Sequence, residues 1–265
     1  MAKAMKEKGI AGHIIGVDAN PIHRQRAMEL GLVDEVAVPE IAIPRADLVV
    51  LAVPVNAAEQ VIFPVLGLID RQVVMDVGST KQHLCELLKD HPKRNRFVAT
   101  HPMWGTEHSG PDAAVSGAFR SKAAVICNRQ ESDPLAVDMV ENLYRQLGMH
   151  ILHMDAEAHD LHAAYVSHIS HITSFALANT VLEKEKEEDA IFELASGGFE
   201  STVRLAKSNP AMWVPIFMQN RENVLDVLNE HISQLKKIRS CLEKENYTYL
   251  QDLIEQANQI KRILK

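Results

Sequence analysis

The 265-residue sequence is informative first for what it has little of. Its three cysteines are an odd number at wide spacing, which favours reduced thiols over a disulfide framework. The net charge of −7 gives no basic surface for nucleic acid. No apolar run approaches the roughly 20 residues that span a bilayer, and Met1–Lys8 lacks the apolar core of a secretory signal. We therefore expect a cytoplasmic protein that uses neither nucleic acid nor membrane as a partner.

The sequence is, in contrast, rich in apolar residues, at 46%, enough for one large or two modest domains. Short runs of Val, Ile, Leu and Ala recur through residues 1–154 and mostly do not alternate with polar residues, as in strands covered by helices on both faces. The pattern predicts a doubly wound parallel α/β sheet. Its strands are expected at His13–Val17, Glu35–Val38, Leu48–Val53, Val73–Val77, Phe97–Thr100, Ala123–Cys127 and Ile151–Met154.

The strand pattern stops at Asp155, and residues 155–265 are predicted to form an all-α second domain. Residues 156–186 are expected to be one long helix, because its middle is apolar on nearly every face and so requires burial among other helices. Further helices are predicted over Glu188–Ala195, Ser201–Ser208, Met212–Leu242 and Tyr247–Ile263.

A histidine stands at a strand end, where open α/β sheets place their chemistry. His101 follows the apolar run Phe97–Thr100 and opens the segment His101-Pro102-Met103-Trp104-Gly105-Thr106-Glu107. An imidazole with an unperturbed pKa of about 6.5 accepts a proton near neutrality, so His101 is a candidate base. The plain alternative is a strand-end histidine before a Pro-Gly loop.

Asp18 closes the first predicted strand, where an acid commonly hydrogen-bonds the adenosine ribose of a dinucleotide; a simple turn residue is the alternative. In a Rossmann unit that acid follows a G-x-G-x-x-G turn by about 20 residues, and the sequence has no such turn. Met1–Lys8 has the composition of the helix after that turn. We therefore expect the natural gene product to carry roughly 10–20 further residues before Ala2, which end in a glycine-rich turn.

Four blocks together carry a resemblance that covers nearly the whole chain. They are the His101 segment with Ser109-Gly110 after it, the turn Asp76-Val77-Gly78-Ser79-Thr80-Lys81, the pair His168 and His171, and the run Gly197-Gly198-Phe199, Thr202, Arg204 and Ala206–Trp213. In these blocks the chain resembles the prephenate/arogenate dehydrogenase family of tyrosine biosynthesis. The resemblance implies a Rossmann-like NAD-binding domain followed by a helical dimerisation domain, and a homodimer.

The implied reaction is the NAD-dependent oxidative decarboxylation of prephenate to 4-hydroxyphenylpyruvate, with arogenate as the alternative substrate. Aromatisation of the ring drives it, so the resemblance implies no metal. A non-catalytic helical dimer or binding module, without a working dinucleotide site, is the competing interpretation.

The resemblance also implies roles for individual residues. His101 accepts the proton of the ring hydroxyl. Ser79 binds that hydroxyl or orients His101, and Ser79 also contacts the cofactor. On local grounds alone, a cap for a helix Lys81–Lys89 is the favoured role of Ser79, and the resemblance reverses that preference. Arg204 pairs with a substrate carboxylate through its planar fork, the alternative being an exposed helix arginine.

The remaining implied substrate contacts are His171, Gly197, Trp213 and Glu107. Glu107 is expected to pair with a cation such as Arg204, and Trp213 to form a pocket wall. For His171 and Trp213 the alternative is an ordinary place in the core.

The spacing of His159, His162, His168 and His171 also suggests a metal site. The nine-residue offset between the two pairs turns them about half a revolution apart on a regular helix, so no metal is predicted.

Overall fold

The computed structural model describes residues 1–106, 108–187 and 190–263. The chain divides into two compact units, Met1–Asn220 and Arg221–Lys265. Within the described ranges, no helix is both long and apolar enough to cross a bilayer.

The seven predicted strands all form, with ends that agree to within two residues. They are β1 (Ile15–Gly16), β2 (Glu35–Val36), β3 (Leu48–Leu51), β4 (Val73–Asp76), β5 (Phe97–Pro102), β6 (Ala123–Cys127) and β7 (His150–Met154). β3 to β7 lie side by side in sequence order in one sheet, while β1 and β2 form a two-stranded parallel sheet.

The prediction of a wholly parallel sheet is wrong at one place. β3, β4 and β5 are parallel, but β6 runs antiparallel to β5, with Ala99 opposite Cys127 and His101 opposite Val125. β7 then runs parallel to β6. Because β6 is buried on both faces, its sequence is as continuously apolar as that of a parallel strand and does not reveal its direction.

Helices cover both faces of the five-stranded sheet, which confirms the doubly wound arrangement. Val73 and Met75 pack in one apolar cluster with residues of α1 and α6, and Val74 between them packs in another with α4 and α5. This alternation is the two-residue period of a strand. The helices are α1 (Ala2–Glu7), α2 (Pro21–Glu29), α3 (Pro39–Arg45), α4 (Val55–Leu68), α5 (Gln82–Leu88) and α6 (Pro134–Leu147).

After Met154 the described residues contain only helices and turns, as predicted. The expected helix 156–186 is interrupted by a π turn, Ala164–His168, and the expected helix Met212–Leu242 is divided at Asn220. In the region predicted as Glu188–Ala195, residues 188 and 189 lie outside the described residues, and the rest contains a 3₁₀ turn, Phe192–Leu194. The helices are α7 (Ala156–Ala163), α8 (Ile169–Glu185), α9 (Gly197–Val203), α10 (Pro210–Gln219), α11 (Arg221–Glu243) and α12 (Tyr247–Ala257).

Candidate active site

His101 lies near the carboxyl end of β5, the strand-end position that the sequence predicts. Its ring is half-buried, and Nδ1 lies 2.9 Å from Nε2 of His159. The two rings meet edge to face, with centroids 5.1 Å apart and planes at 70°. A second imidazole therefore fixes the orientation of His101.

The surroundings of His101 keep its imidazole neutral. Burial is the largest cause that holds the pKa of His101 well below 6.5, and the charges of His159, Lys81 and His168 act in the same direction. A neutral imidazole has a lone pair available at pH 7 and can accept a proton from a bound substrate.

A buried ion pair joins the ends of β4 and β5 beside this histidine. The ammonium of Lys81 contacts the carboxylate of Asp76, with side chains that are 0% and 3% exposed. Lys81 Nζ also donates to the backbone oxygen of Thr100 at 2.9 Å, and Asp76 Oδ1 accepts from the Thr100 N–H at 3.1 Å. The residue directly before His101 is thus tied to the turn that carries Ser79.

Ser79 is half-buried in that turn, between β4 and α5. The alternative of a helix cap at Ser79 is wrong, because α5 begins at Gln82 and its first amides bind elsewhere. The carboxylate of Asp160 accepts the Lys81 N–H at 2.8 Å and the Gln82 N–H at 2.9 Å. A distant residue therefore caps α5, and the Ser79 hydroxyl is not used for that purpose.

The same turn is connected to α10. The Thr80 hydroxyl donates to Oε1 of Gln219 at 2.5 Å, and the Gln219 amide donates to Glu59 on α4. Since α10 also carries Trp213, these contacts link the Ser79 turn to the helix that bears a predicted substrate residue.

His171 and Trp213 stack on each other, with centroids 3.4 Å apart and planes at 27°. His171 Nδ1 donates to the backbone oxygen of Ser167 at 3.0 Å, and burial lowers the pKa of His171, with the charge of Arg204 acting in the same direction. Among the described residues, the buried indole Nε1 of Trp213 has no hydrogen-bond partner. The pair is a packed wall that retains one unused donor.

Arg204 and Gly197 are both exposed. Gly197 begins α9, and Arg204 begins the 3₁₀ turn that follows it. The Ser174 hydroxyl on α8 donates to the Thr202 backbone oxygen at 3.0 Å and so holds α9 against the central helix. Glu107 lies outside the described residues.

Asp18 is exposed, two residues beyond β1. Its Oδ1 accepts the Asn20 N–H at 2.7 Å, and Oδ2 lies 3.5 Å from Nδ1 of His23. A cavity of about 10 Å³, room for one water molecule, lies at the carboxyl ends of β3 and β4 and is lined by Val53, Gly78 and Thr80, among others. The exposed acid after β1 is the feature that fits a dinucleotide in an open α/β sheet.

The described part of the chain contains no group of three or more metal-ligating side chains. Three of the four central-helix histidines have other contacts. His159 binds His101 and Asp160, His168 lies 3.1 Å from the Asn220 amide, and His171 stacks on Trp213.

Sequence reasoning missed Asp160 altogether and considered His159 only as a metal ligand. Asp160 is 2% exposed, and its Oδ1 lies 2.7 Å from His159 Nδ1. The adjacent His-Asp pair, directly before the apolar stretch of the central helix, was the available signal, because such polar groups are buried only with partners.

Two family models match the chain: the nucleotide-binding domain of prephenate dehydrogenase over residues 1–153 and its dimerization domain over residues 155–256. A prephenate dehydrogenase of Bacillus subtilis is 31% identical over 250 residues, which cover 93% of this chain and 67% of that relative. The chain belongs to the prephenate dehydrogenase family. The resemblance drawn from the His101 and Ser79 blocks is thereby confirmed, while the individual residue roles stay predictions.

Other known proteins are similar to this chain over comparable lengths. A cyclohexadienyl dehydrogenase of Zymomonas mobilis is 30% identical, over 94% of this chain and 86% of that protein. The crystal structure of an Aquifex aeolicus prephenate dehydrogenase, in complex with hydroxyphenyl propionate and NAD+, is 29% identical with a TM-score of 0.88, over 99% and 92% of the two chains. A Synechocystis arogenate dehydrogenase, at 24% identity and a TM-score of 0.79, shares the fold over 100% and 96% of the chains.

Proposed function

We propose that this chain is an NAD-dependent prephenate dehydrogenase, which converts prephenate to 4-hydroxyphenylpyruvate by oxidative decarboxylation. The observation that carries the proposal is His101, a strand-end imidazole whose pKa lies well below 6.5 and whose ring is held by His159. NAD would supply the electron acceptor when bound, and Asp18 and Ser79 are the residues that would hold it.

His101 accepts the proton of the ring hydroxyl as the carbonyl forms, and the neighbouring Ser79 orients that hydroxyl. Arg204 pairs with a substrate carboxylate, and His171 with Trp213 forms the wall on which the ring rests. Gly197 and Glu107 belong to the same proposed substrate site. Loss of carbon dioxide from the opposite ring carbon leaves an aromatic product, so the residues need only position the ring and take one proton.

We propose a division at residue 154 between a nucleotide-binding domain and a helical substrate and dimerisation domain. The matched family models, which meet near this point, support it. We also propose a homodimer, because the second unit exposes large apolar side chains that need cover. They include Leu235, Leu242, Ile254 and Ile260, each more than half exposed. A stable monomer in sedimentation at micromolar concentration would contradict the dimer.

The test of the activity follows NADH absorbance with prephenate and, separately, with arogenate. Prephenate is expected to give the higher kcat/KM, and His101→Asn to abolish the signal. His153→Asn is the matched control, because His153 pairs with Glu141 on α6 and takes no part in the proposed site. A preference for arogenate would reassign the substrate, and no NADH with either compound would overturn the proposed function.

A further inference from the structure

We infer that Asp160 and His159 are positioning residues that hold His101 with its proton on Nδ1 and its lone pair on Nε2. The inference rests on the proposed function, because only a base that accepts a proton at a defined nitrogen needs this arrangement. It follows from the direction of three hydrogen-bonded contacts that lead from α5 through α7 to β5.

The first step is the carboxylate of Asp160. It accepts two backbone N–H groups, from Lys81 and Gln82, and the residue is buried. An ionised carboxylate only accepts hydrogen bonds. The 2.7 Å contact between Asp160 Oδ1 and His159 Nδ1 therefore requires the proton of His159 to lie on Nδ1.

The second step is the imidazole of His159, whose Nδ1–H is taken by Asp160. A ring in its neutral form carries one N–H, which leaves Nε2 of His159 as an acceptor. The 2.9 Å contact between that Nε2 and His101 Nδ1 then requires the proton of His101 to lie on Nδ1. The lone pair of His101 is thereby assigned to Nε2, where the hydroxyl proton of the substrate would be received.

The third step is the rigidity of Asp160. Its backbone oxygen accepts from Asn220 Nδ2 at 2.7 Å, and that amide also lies 3.1 Å from Nδ1 of His168. Its carboxylate is held by the first amides of α5. With backbone and side chain both anchored, Asp160 fixes the His159 ring, and through it the His101 ring, before substrate arrives.

The arrangement also bears on the charge that forms during the reaction. When the hydroxyl proton moves to His101 Nε2, the ring becomes a cation that donates from Nδ1 to His159. The Asp160 carboxylate behind His159 stabilises that positive charge, as the carboxylate of a catalytic triad stabilises its imidazolium.

The first experiment is nitrogen NMR of the ¹⁵N-histidine-labelled wild-type protein at neutral pH, with signals assigned by the variants His101→Asn and His159→Asn. Both rings are expected to carry the proton on Nδ1. A proton on Nε2 of His101 would overturn the inference whatever the enzymatic activity, whereas the NADH assay alone decides the proposed function.

The second experiment uses Asp160→Asn. The carboxamide removes the charge behind His159. Where its NH₂ group faces His159 Nδ1, it donates, reverses both contacts and leaves His101 protonated on Nε2, while the Lys81 N–H loses the acceptor that it has in Asp160 Oδ1. We expect kcat to fall by about 10³-fold or more, with the KM for prephenate and the Kd for NAD within about threefold. Asp133→Asn is the matched control, because Asp133 caps α6 by accepting the Leu135 N–H at 2.8 Å, and its kcat should stay within about twofold.

His159→Phe keeps a ring of similar size but supplies no acceptor, and it serves if Asp160→Asn does not fold. A kcat lowered by about 100-fold at unchanged KM is expected. Wild-type kcat in either folded variant would overturn the inference. The inference would be supported if the Nδ1 proton signal of His101 is observed only in proteins whose residue 159 still offers a hydrogen-bond acceptor.

Discussion

Replacement of Lys81 by methionine is expected to lower the free energy of unfolding by about 3–5 kcal/mol, because it removes one partner of a buried ion pair. The side chains of Lys81 and Asp76 are 0% and 3% exposed, so water cannot replace the lost ammonium without local opening. Methionine nearly conserves the volume of the lysine stem, which keeps the cavity contribution small. The expected loss of unfolding free energy therefore measures mainly the cost of leaving the Asp76 carboxylate buried without its ammonium partner.

Asp76 retains two donors in this variant, the Gly78 N–H at 2.9 Å and the Thr100 N–H at 3.1 Å. They reduce the penalty without removing it, since two neutral amides do not balance a buried charge. The double variant Asp76→Asn/Lys81→Met removes both charges of this pair. It should therefore be destabilised by less than the sum of the two single changes.

Urea unfolding followed by circular dichroism at pH 7 measures each of these free energies. Lys89→Met is the control, because Lys89 has a side chain that is 65% exposed and should change stability by less than about 0.5 kcal/mol. A loss below about 1 kcal/mol for Lys81→Met, or strictly additive losses, would refute the reasoning. The Lys81 charge also helps to hold the pKa of His101 down, so the acid limb of kcat/KM should move to higher pH in the folded variant.

Three other outcomes are expected. His101→Asn should nearly abolish kcat while the KM for prephenate changes only a few fold, because the imidazole acts as the proton departs; substantial turnover would contradict its role as base. Arg204→Ala should raise that KM by about tenfold or more, and an unchanged KM would place the carboxylate contact elsewhere. Burial lowers the pKa of His168 to about 4, so the free energy of unfolding should fall by about 3 kcal/mol as pH drops from about 6.5 to about 4. His168→Gln should flatten that dependence in urea titrations. A wild-type free energy of unfolding that is constant over this range would contradict the prediction.

The sequence predicted most of the architecture because each strand can be recognised from its own residues. Runs such as Val73–Val77 and Ala123–Cys127 carry the composition of buried strands, and turn residues separate them. The direction of β6 cannot be recognised from its own residues, since it depends on which neighbour the strand pairs with. The break at Asn220 was missed for a similar reason. Helical periodicity on both sides of it is good, and the interruption is used for contacts to Asp160 and His168.

The site was predicted in part. Features that depend on neighbouring residues in the sequence were found, and contacts between residues distant in the sequence were missed. His101 could be found because a strand end is a local feature. Its partner His159 lies 58 residues away, and no local pattern joins them. The Ser79 cap was expected because Gly-Ser before a helix is a good capping sequence, but Asp160, 78 residues beyond Gln82, supplies the cap. Hydrogen bonds between distant side chains depend on the fold, which single-sequence patterns do not contain.

The π turn Ala164–His168 changes the directions of the central-helix histidines from those of a regular helix. On a regular helix His159 and His171, twelve residues apart, would differ by about 120° in direction. A π turn adds roughly one residue to the turn and so returns about 100° of rotation, which brings the two side chains nearly onto one face. His159 can then bind His101 while His171 stacks on Trp213. The segment of α7, the π turn and α8 therefore supplies both the support of the proposed base and part of the proposed substrate wall.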